Sequence, residues 1–384
     1  MQNTIYEYEE IKEDSEDYKK LKSYIINTTE LHKYFTLDWK DLKAKQYCGI
    51  LNFNDQDFYI LPKIANRNDE KNLNIFIYML MYAYDVKLSN EQVASCANQK
   101  PTILEVFVQM FALNLLNELK KGLYKEYLTK QDNLPVLKGK YLINENLKYN
   151  FTKNKIYCEY DEFSENNSLN QFFLYAVKYL QKFVNDKKLL KQCELIFDEV
   201  EYKSVDINRV ETINFSRLNV RFKTSFEIAL LLLKQSIPLF NKDKKSFAFL
   251  FDMNILFEKF IARIVKELDS NAKIQNQDDF GDLTLKPDII LENQIIDTKY
   301  KKLNSLDDIK QSDKLQAFSY GINYKVENVM LLYPKHLDNI KYDLVLGKES
   351  IVNLKIRTID LNFSANNYKE YIDEIMERLG HLDG

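Results

Sequence analysis

Residues 286–299 constrain this chain more than any other stretch. They read Lys286-Pro287-Asp288-Ile289-Ile290-Leu291, then Glu292-Asn293, then Gln294-Ile295-Ile296-Asp297-Thr298-Lys299. Runs of β-branched residues bounded by polar ones signal strands, so the segment predicts a hairpin turning at Glu292-Asn293. That register sets Ile290 opposite Ile295, Ile289 opposite Ile296, and Asp288 opposite Asp297. Directly opposed residues have Cβ atoms about 5 Å apart, and like charges there are destabilising. Asp297 and Lys299, two apart, project from one face of the strand. Two carboxylates beside an amine form a conflict that a divalent cation between the carboxylates resolves.

Mg2+ favours oxygen ligands, keeps several waters, and often sits on one or two carboxylates plus a substrate phosphate. Bound in that way it polarises a phosphoryl oxygen and acidifies an attacking water, while a lysine beside it stabilises developing negative charge. These are the parts of a phosphodiester hydrolase. The competing reading is a solvated strand face behind a Pro-Asp turn.

The flanks bear on that choice. Residues 251–268 predict a helix in which Phe257, Phe260, Ile261, Ile264 and Leu268 form an apolar stripe. Lys259, Arg263 and Lys266 fall opposite. Glu258 falls at the stripe's edge, where a carboxylate either reaches water or needs a partner or a cation. Residues 307–324 predict a second helix with Ile309, Gln316 and Tyr320 broadly on one side. Gln316 either touches the hairpin or is an ordinary surface glutamine. Residues 326–333 predict a buried strand ended by Pro334.

Pro287-Asp288 followed by Asp297-Thr298-Lys299 resembles the PD-(D/E)xK nuclease signature, which is loose by itself. Its flanks are more specific. Residues 249–260 (FLFDMNILFEKF), 285–289 (LKPDI), 296–301 (IDTKYK) and 313–320 (DKLQAFSY) together resemble the McrC family, the nuclease subunits of modification-dependent restriction systems. Upstream, Arg217-Leu218-Asn219 within residues 214–219, the run 160–164 with Asn170, and residues 60–64 and 79–85 also fit. The resemblance covers most of the chain and is weakest at its two ends. It implies that Asp288 and Asp297 bind the metal with Glu258 in support, that Lys299 assists hydrolysis, and that Gln316 is a further site residue. The implied cofactor is Mg2+, with Mn2+ as a substitute. The implied partners are double-stranded DNA, methylated or not, and an McrB-type AAA+ GTPase, expected as a hexameric ring, whose GTP hydrolysis this chain stimulates. Two other readings stand beside the endonuclease: a non-catalytic adaptor that activates the same GTPase, and a helicase-associated repair nuclease.

Composition sets limits on all three. With 384 residues the chain is long enough for two domains, and 45% hydrophobic residues make it globular. A net charge of −3 argues against a chain that grips DNA by bulk electrostatics, and fits a nuclease delivered to DNA by another subunit. Lys299, Lys301 and Lys302 lie beside the proposed site, and Lys242, Lys244 and Lys245 read better as a solvated face. The four cysteines (Cys48, Cys96, Cys158, Cys193) and three histidines (His32, His336, His381) are scattered, which argues against a structural zinc or iron–sulfur centre. A phosphate-binding Gly-x-x-x-x-Gly-Lys-Ser/Thr loop is lacking. The acidic start lacks an apolar leader and no apolar run reaches membrane-spanning length, so the expected location is the cytoplasm without membrane contact.

The expected architecture is an α+β N-terminal domain over residues 1–165, the element that docks to the GTPase, followed by residues 166–384. The second part holds a helical segment and an α/β PD-(D/E)xK restriction-endonuclease-like core, a mixed sheet flanked by helices, at about 246–335. Residues 47–53 and 58–61 predict a hairpin across residues 54–57, residues 73–84 a helix, and Pro101 a helix start. Residues 141–160 predict a protruding hairpin or extended arm. Helices are expected over 172–184, 189–196 and 226–236, and the polar run at 241–245 breaks the chain before the core.

Overall fold

A computed structural model describes residues 3–11, 16–37, 42–53, 56–65, 67–84, 103–151, 154–207, 213–241, 244–335, 340–364 and 367–382. The expectations for Asn54-Asp55, Asp85, Cys96, the Pro101 helix start, Lys242-Asp243 and His336 lie outside these residues. The chain divides into two compact units, residues 1–103 with 235–384, and residues 104–234. The boundary expected near residue 165 falls inside the second unit.

The N-terminal stretch runs β1 (Thr4–Tyr6), α1 (Glu16–Asn27), β2 (Phe35–Leu37), β3 (Leu42–Ala44), β4 (Tyr47–Phe53), β5 (Gln56–Leu61) and α2 (Asp69–Ala83). The β4–β5 hairpin and the helix after it follow the sequence pattern. Asn68 caps α2 by accepting from the Lys71 N–H, which extends the helix by a turn ahead of the apolar run.

The second unit contains α3 (Ile103–Leu119), β6 (Glu126–Leu134), β7 (Lys140–Tyr141), α4 (Ile143–Tyr149), β8 (Ile156–Ser164), α5 (Ser168–Leu180), α6 (Lys188–Ile196) and α7 (Lys223–Gln235). The stretch expected as a protruding hairpin or extended arm, residues 141–160, holds the end of β7, the helix α4 and the start of β8, and β7 and β8 join β6 in a three-stranded antiparallel sheet in the order β6-β8-β7. Two of the polar residues quoted for the family hold turns here. Asn170 is buried and donates to the carbonyls of Tyr124 and Glu165. Asn219 is buried and bonds Ser216 N–H and the Asn214 carbonyl. Their value to the chain is satisfaction of buried backbone groups.

The chain then returns to the first unit with β9 (Ser236–Asn241), β10 (Lys244–Asp252), α8 (Met253–Leu268), β11 (Lys273–Ile274), β12 (Asp278–Phe280), β13 (Leu283–Leu285), β14 (Ile289–Ile290) and β15 (Gln294–Thr298). It closes with α9 (Gln311–Tyr324), β16 (Asn328–Pro334), β17 (Lys341–Leu346), β18 (Val352–Ile359) and α10 (Tyr368–Gly380). Two sheets organise this unit. The first has the order β1-β5-β4-β10-β9. The apolar strand β10 sits between β4 and β9, so the N-terminal strands share one sheet with residues 236–252. The N-terminal third is therefore part of the unit that carries the hairpin. An all-apolar run such as Phe247-Ala248-Phe249-Leu250-Phe251 must be covered on both faces, and residues far away in sequence do this.

The second sheet has the order β11-β14-β15-β16-β18-β17, with β15, β16 and β18 parallel. Its core is formed by Ile295, Val329, Leu331, Leu354 and Ile356 with Ala317 and Tyr320 of α9 above them. Helix α8 starts two residues later than the sequence pattern implies, because Phe251 and Asp252 belong to β10 and Asp252 also caps the helix by accepting from Asn254 N–H. Phe257, Phe260, Ile261 and Ile264 of its apolar stripe are buried, with Phe260 against Tyr82 and Tyr371, whereas Leu268 at the helix end is exposed. The helix expected over 307–324 is split: a 3-10 turn over Leu306–Asp308 precedes α9, with Ile309 and Lys310 extended between them.

Candidate active site

The hairpin folds in the register its sequence predicts. Ile289 pairs with Ile296 and Ile290 with Ile295, and Leu291 N–H donates to the Gln294 carbonyl across the turn. Below Ile289 the two strands no longer form a regular ladder. Asp288 reaches across instead, and its Oδ2 accepts both the backbone N–H and the hydroxyl of Thr298 at 2.7 Å. The carboxylate thus takes the ladder position of a backbone carbonyl, which fixes its direction.

Asp297 is central in the sheet and 2% exposed. Burial and then repulsion from Asp288 push its carboxyl up to about 6, against the opposing effect of Lys299. Its Oδ2 is buried. Lys299 Nζ meets that oxygen as an ion pair at 2.5 Å. Burial opposes the Lys299 ammonium, but the charges of Asp297, Asp313 and Asp288 outweigh it and hold its pKa above the usual lysine value.

The lysine is held from a second side. Its Nζ donates to Gln316 Oε1 at 3.0 Å, Gln316 Nε2 donates to the Tyr320 hydroxyl at 2.9 Å, and that hydroxyl donates to the Lys286 carbonyl at 3.2 Å. This chain of bonds ties α9 to the strand end after β15 and to the residue before Pro287. Gln316 and Tyr320 are four apart on one helix face, which is why both reach the hairpin. Lys301 pairs with the buried Asp313 at 3.1 Å on the first turn of the same helix.

Glu258 of α8 also reaches Asp288. Burial and then the Asp288 charge raise its carboxyl pKa, and the two carboxyls lie within hydrogen-bonding reach of each other. Gln275 Nε2 donates to Glu258 Oε1, and Gln275 N–H donates to the Asp288 carbonyl at 2.8 Å. Gln275 adopts a left-handed backbone at φ 48°, a conformation that non-glycine residues keep where the surroundings enforce it.

All five residues singled out in the sequence, Asp288, Asp297, Lys299, Glu258 and Gln316, meet at this hairpin. Gln275, Thr298, Tyr320 and Asp313 belong to the same cluster and were not anticipated. The Thr298 role follows from the strand-end geometry and Gln275 from a loop turn, and neither has a local sequence signal. Among the described residues no three His, Cys, Asp or Glu side chains form a metal cage. The donors present fit a cation of a different kind. Mg2+ takes one or two carboxylates and fills its remaining positions with water and phosphate, and here the Asp288 and Asp297 carboxylates repel each other at one strand end. No described helix is long and apolar enough to cross a membrane.

Comparison with known proteins places this chain among restriction-system components. A chain from the refined half-complex of a tetradecameric assembly of Thermococcus gammatolerans McrB AAA+ hexamers with bound McrC shares the fold, with a TM-score of 0.60, 21% identity, and coverage of 98% of this chain and 99% of that one. A chain from the Thermococcus gammatolerans McrBC complex gives a TM-score of 0.50 at 26% identity over 68% of this chain and 86% of that one. The model of the family described as "McrBC 5-methylcytosine restriction system component" matches residues 42–334, and the chain belongs to that family. A curated protein, probable polyketide synthase 15 of Dictyostelium discoideum, is 28% identical over 138 residues; the match covers 34% of this chain but only 4% of that protein, too little for a functional argument.

Proposed function

We propose that this chain is the DNA-cutting subunit of an McrBC-type restriction complex. In this reading it is an endonuclease with a PD-(D/E)xK core that uses Mg2+, or Mn2+ in its place, to hydrolyse phosphodiester bonds of double-stranded DNA. The observation that carries it is the convergence of Asp288, Asp297 and Lys299 on one strand end, with the Asp297 carboxyl destabilised by burial and by its neighbour.

Asp288 and Asp297 would hold the cation, with Glu258 beside Asp288. When bound, the cation supplies Lewis-acid polarisation of the scissile phosphoryl group and neutralises the carboxylates. The remaining work falls to the chain itself. Thr298 aims Asp288 through two hydrogen bonds. Lys299 is kept charged by its carboxylate neighbours, so it acts as a fixed positive charge toward a phosphate oxygen, where preorganised charge lowers the barrier most effectively. Gln316 and Tyr320 keep that amine from swinging onto Asp297 alone. Burial and the Asp288 charge raise the Glu258 carboxyl pKa, so Glu258 and Asp288 respond together to a cation placed between them.

In the same reading the chain docks to an McrB-type AAA+ GTPase and stimulates GTP hydrolysis. The family membership supports this. So does the second unit, where the strands β6 and β8, the turn between β6 and β7, and α4 expose Tyr127, Phe163, Val136, Leu137, Ile143 and Leu147. Large exposed apolar side chains are a feature of protein contact surfaces. The test is reconstitution with the AAA+ partner, Mg2+ and methylated or unmethylated DNA. Cleavage is expected, and it should vanish in Asp297→Ala while stimulated GTP hydrolysis persists. A complex that stimulates GTP hydrolysis but never cuts DNA would instead identify an adaptor.

A further inference from the structure

A buried acid outside the site touches the residue that follows its lysine. Glu7, directly after β1, is 1% exposed. Its Oε1 accepts the Tyr300 hydroxyl at 2.7 Å and the Lys63 backbone N–H at 3.0 Å, and the Cys48 thiol lies 4.0 Å from Oε2. Burial pushes the Glu7 carboxyl up to about 7, against the effect of these hydrogen bonds and of the Lys63 charge. Burying a carboxyl is costly even when it is bonded, and an apolar residue would fill the space without that cost.

Tyr300 shows what the acid does there. It is 1% exposed and follows Lys299 directly. Its ring lies 5.8 Å from that of Phe257 at 59°, and Phe257 directly precedes Glu258. Tyr300 therefore stands between the strand end that presents Lys299 and the helix that presents Glu258. Ring packing by itself permits sliding, because aromatic contacts tolerate a range of offsets. A hydrogen bond to an acceptor that is anchored in turn by the Lys63 N–H removes that freedom. Lys299 N–H adds a bond to the Leu332 carbonyl at 2.9 Å, which fixes the backbone on the β16 side and leaves the α8 side to Tyr300.

We propose that Glu7 is a positioning residue for DNA cleavage: through the Tyr300 hydroxyl it fixes the end of β15 against α8, and so sets where the Lys299 amine stands relative to Asp297 and Glu258. The inference rests on the nuclease reading of the site. It makes the first sheet a part of the catalytic geometry, since Glu7 follows β1 and Lys63 follows β5.

The test uses the full chain assembled with its AAA+ partner. Single-turnover DNA cleavage, DNA affinity and stimulated GTP hydrolysis are measured for the wild type, Lys299→Ala, Tyr300→Phe, Glu7→Leu and Glu7→Gln. Tyr300→Phe keeps the ring on Phe257 and removes only the hydroxyl. It and Glu7→Leu should cleave roughly 10- to 100-fold more slowly, the cost of a misplaced catalytic group, with DNA affinity and GTP hydrolysis unchanged. Glu7→Gln retains an amide oxygen for both donors and should recover most of the rate. Wild-type cleavage by Tyr300→Phe overturns the proposal. A parallel fall in GTP hydrolysis also overturns it, because that pattern marks general loss of structure. Normal cleavage by Lys299→Ala overturns the nuclease reading itself.

Discussion

The amine of Lys299 stands 2.5 Å from Oδ2 of Asp297, two residues back along the same strand. Each group is costly to bury alone, and each stabilises the charge of the other. Gln316 takes a second hydrogen of the same amine, so the lysine is shared between a carboxylate and a neutral acceptor and is not locked onto either.

That sharing predicts a graded mutational pattern. Lys299→Ala should slow DNA cleavage by roughly 100- to 1000-fold, the usual cost of deleting a preorganised charge stabiliser. Gln316→Ala should have a smaller effect, because Asp297 still orients the amine. Single-turnover cleavage rates, with stimulated GTP hydrolysis as the control, decide between this order and its reverse.

The carboxyl of Asp297 predicts a pH-dependent stability. Its folded pKa of about 6 lies above the ordinary value of 3.8, so the folded state binds the proton more tightly than the unfolded chain. Stability should fall as pH rises from near 4 through 6, and the deficit should persist at higher pH. Asp297→Asn removes the charge, so it should be more stable than wild type above pH 6 by on the order of 1–3 kcal/mol. The two should be equally stable near pH 4. Urea unfolding at several pH values measures the difference, and a variant less stable than wild type at pH 8 would contradict the assignment.

Relief of the same repulsion predicts stabilisation by a divalent cation. At ten times its dissociation constant, Mg2+ should add about 1.4 kcal/mol, read as an upward shift of the unfolding midpoint. The shift should be lost in Asp288→Asn and in Asp297→Asn. An equal shift in both variants and the wild type would locate the ion elsewhere.

Gly49 predicts a stability effect far from the chemistry. It has φ +150°, and a Cβ there would stand 2.0 Å from the Phe249 carbonyl oxygen of the paired strand. Gly49→Ala should destabilise the protein by about 1–3 kcal/mol through the pairing of β4 with β10. Thermal unfolding with cleavage measured well below the transition separates this effect from any change in chemistry.

The hairpin was legible because its information is local. A run of isoleucines with one polar turn admits one register that buries them, and a slip of one residue turns every side chain to the wrong face. The apolar stripe of α8 was legible for the same reason, since Phe257, Phe260, Ile261 and Ile264 repeat with the helical period. The start of α8 was less so, because Phe251 satisfies a strand pattern and a helix pattern equally well and only pairing with Cys48 decides.

The sequence by itself determined which groups carry charge at the hairpin and that Asp288 and Asp297 must crowd each other. Tertiary structure alone decided that the N-terminal strands share a sheet with β10, that Gln275 reaches Glu258, and that Glu7 holds Tyr300. These contacts join residues that are 17 to 293 positions apart. Nothing in the local pattern of either partner specifies the other, because a buried polar group requires only some partner of suitable geometry. Which partner it finds is fixed when the sheets and helices pack.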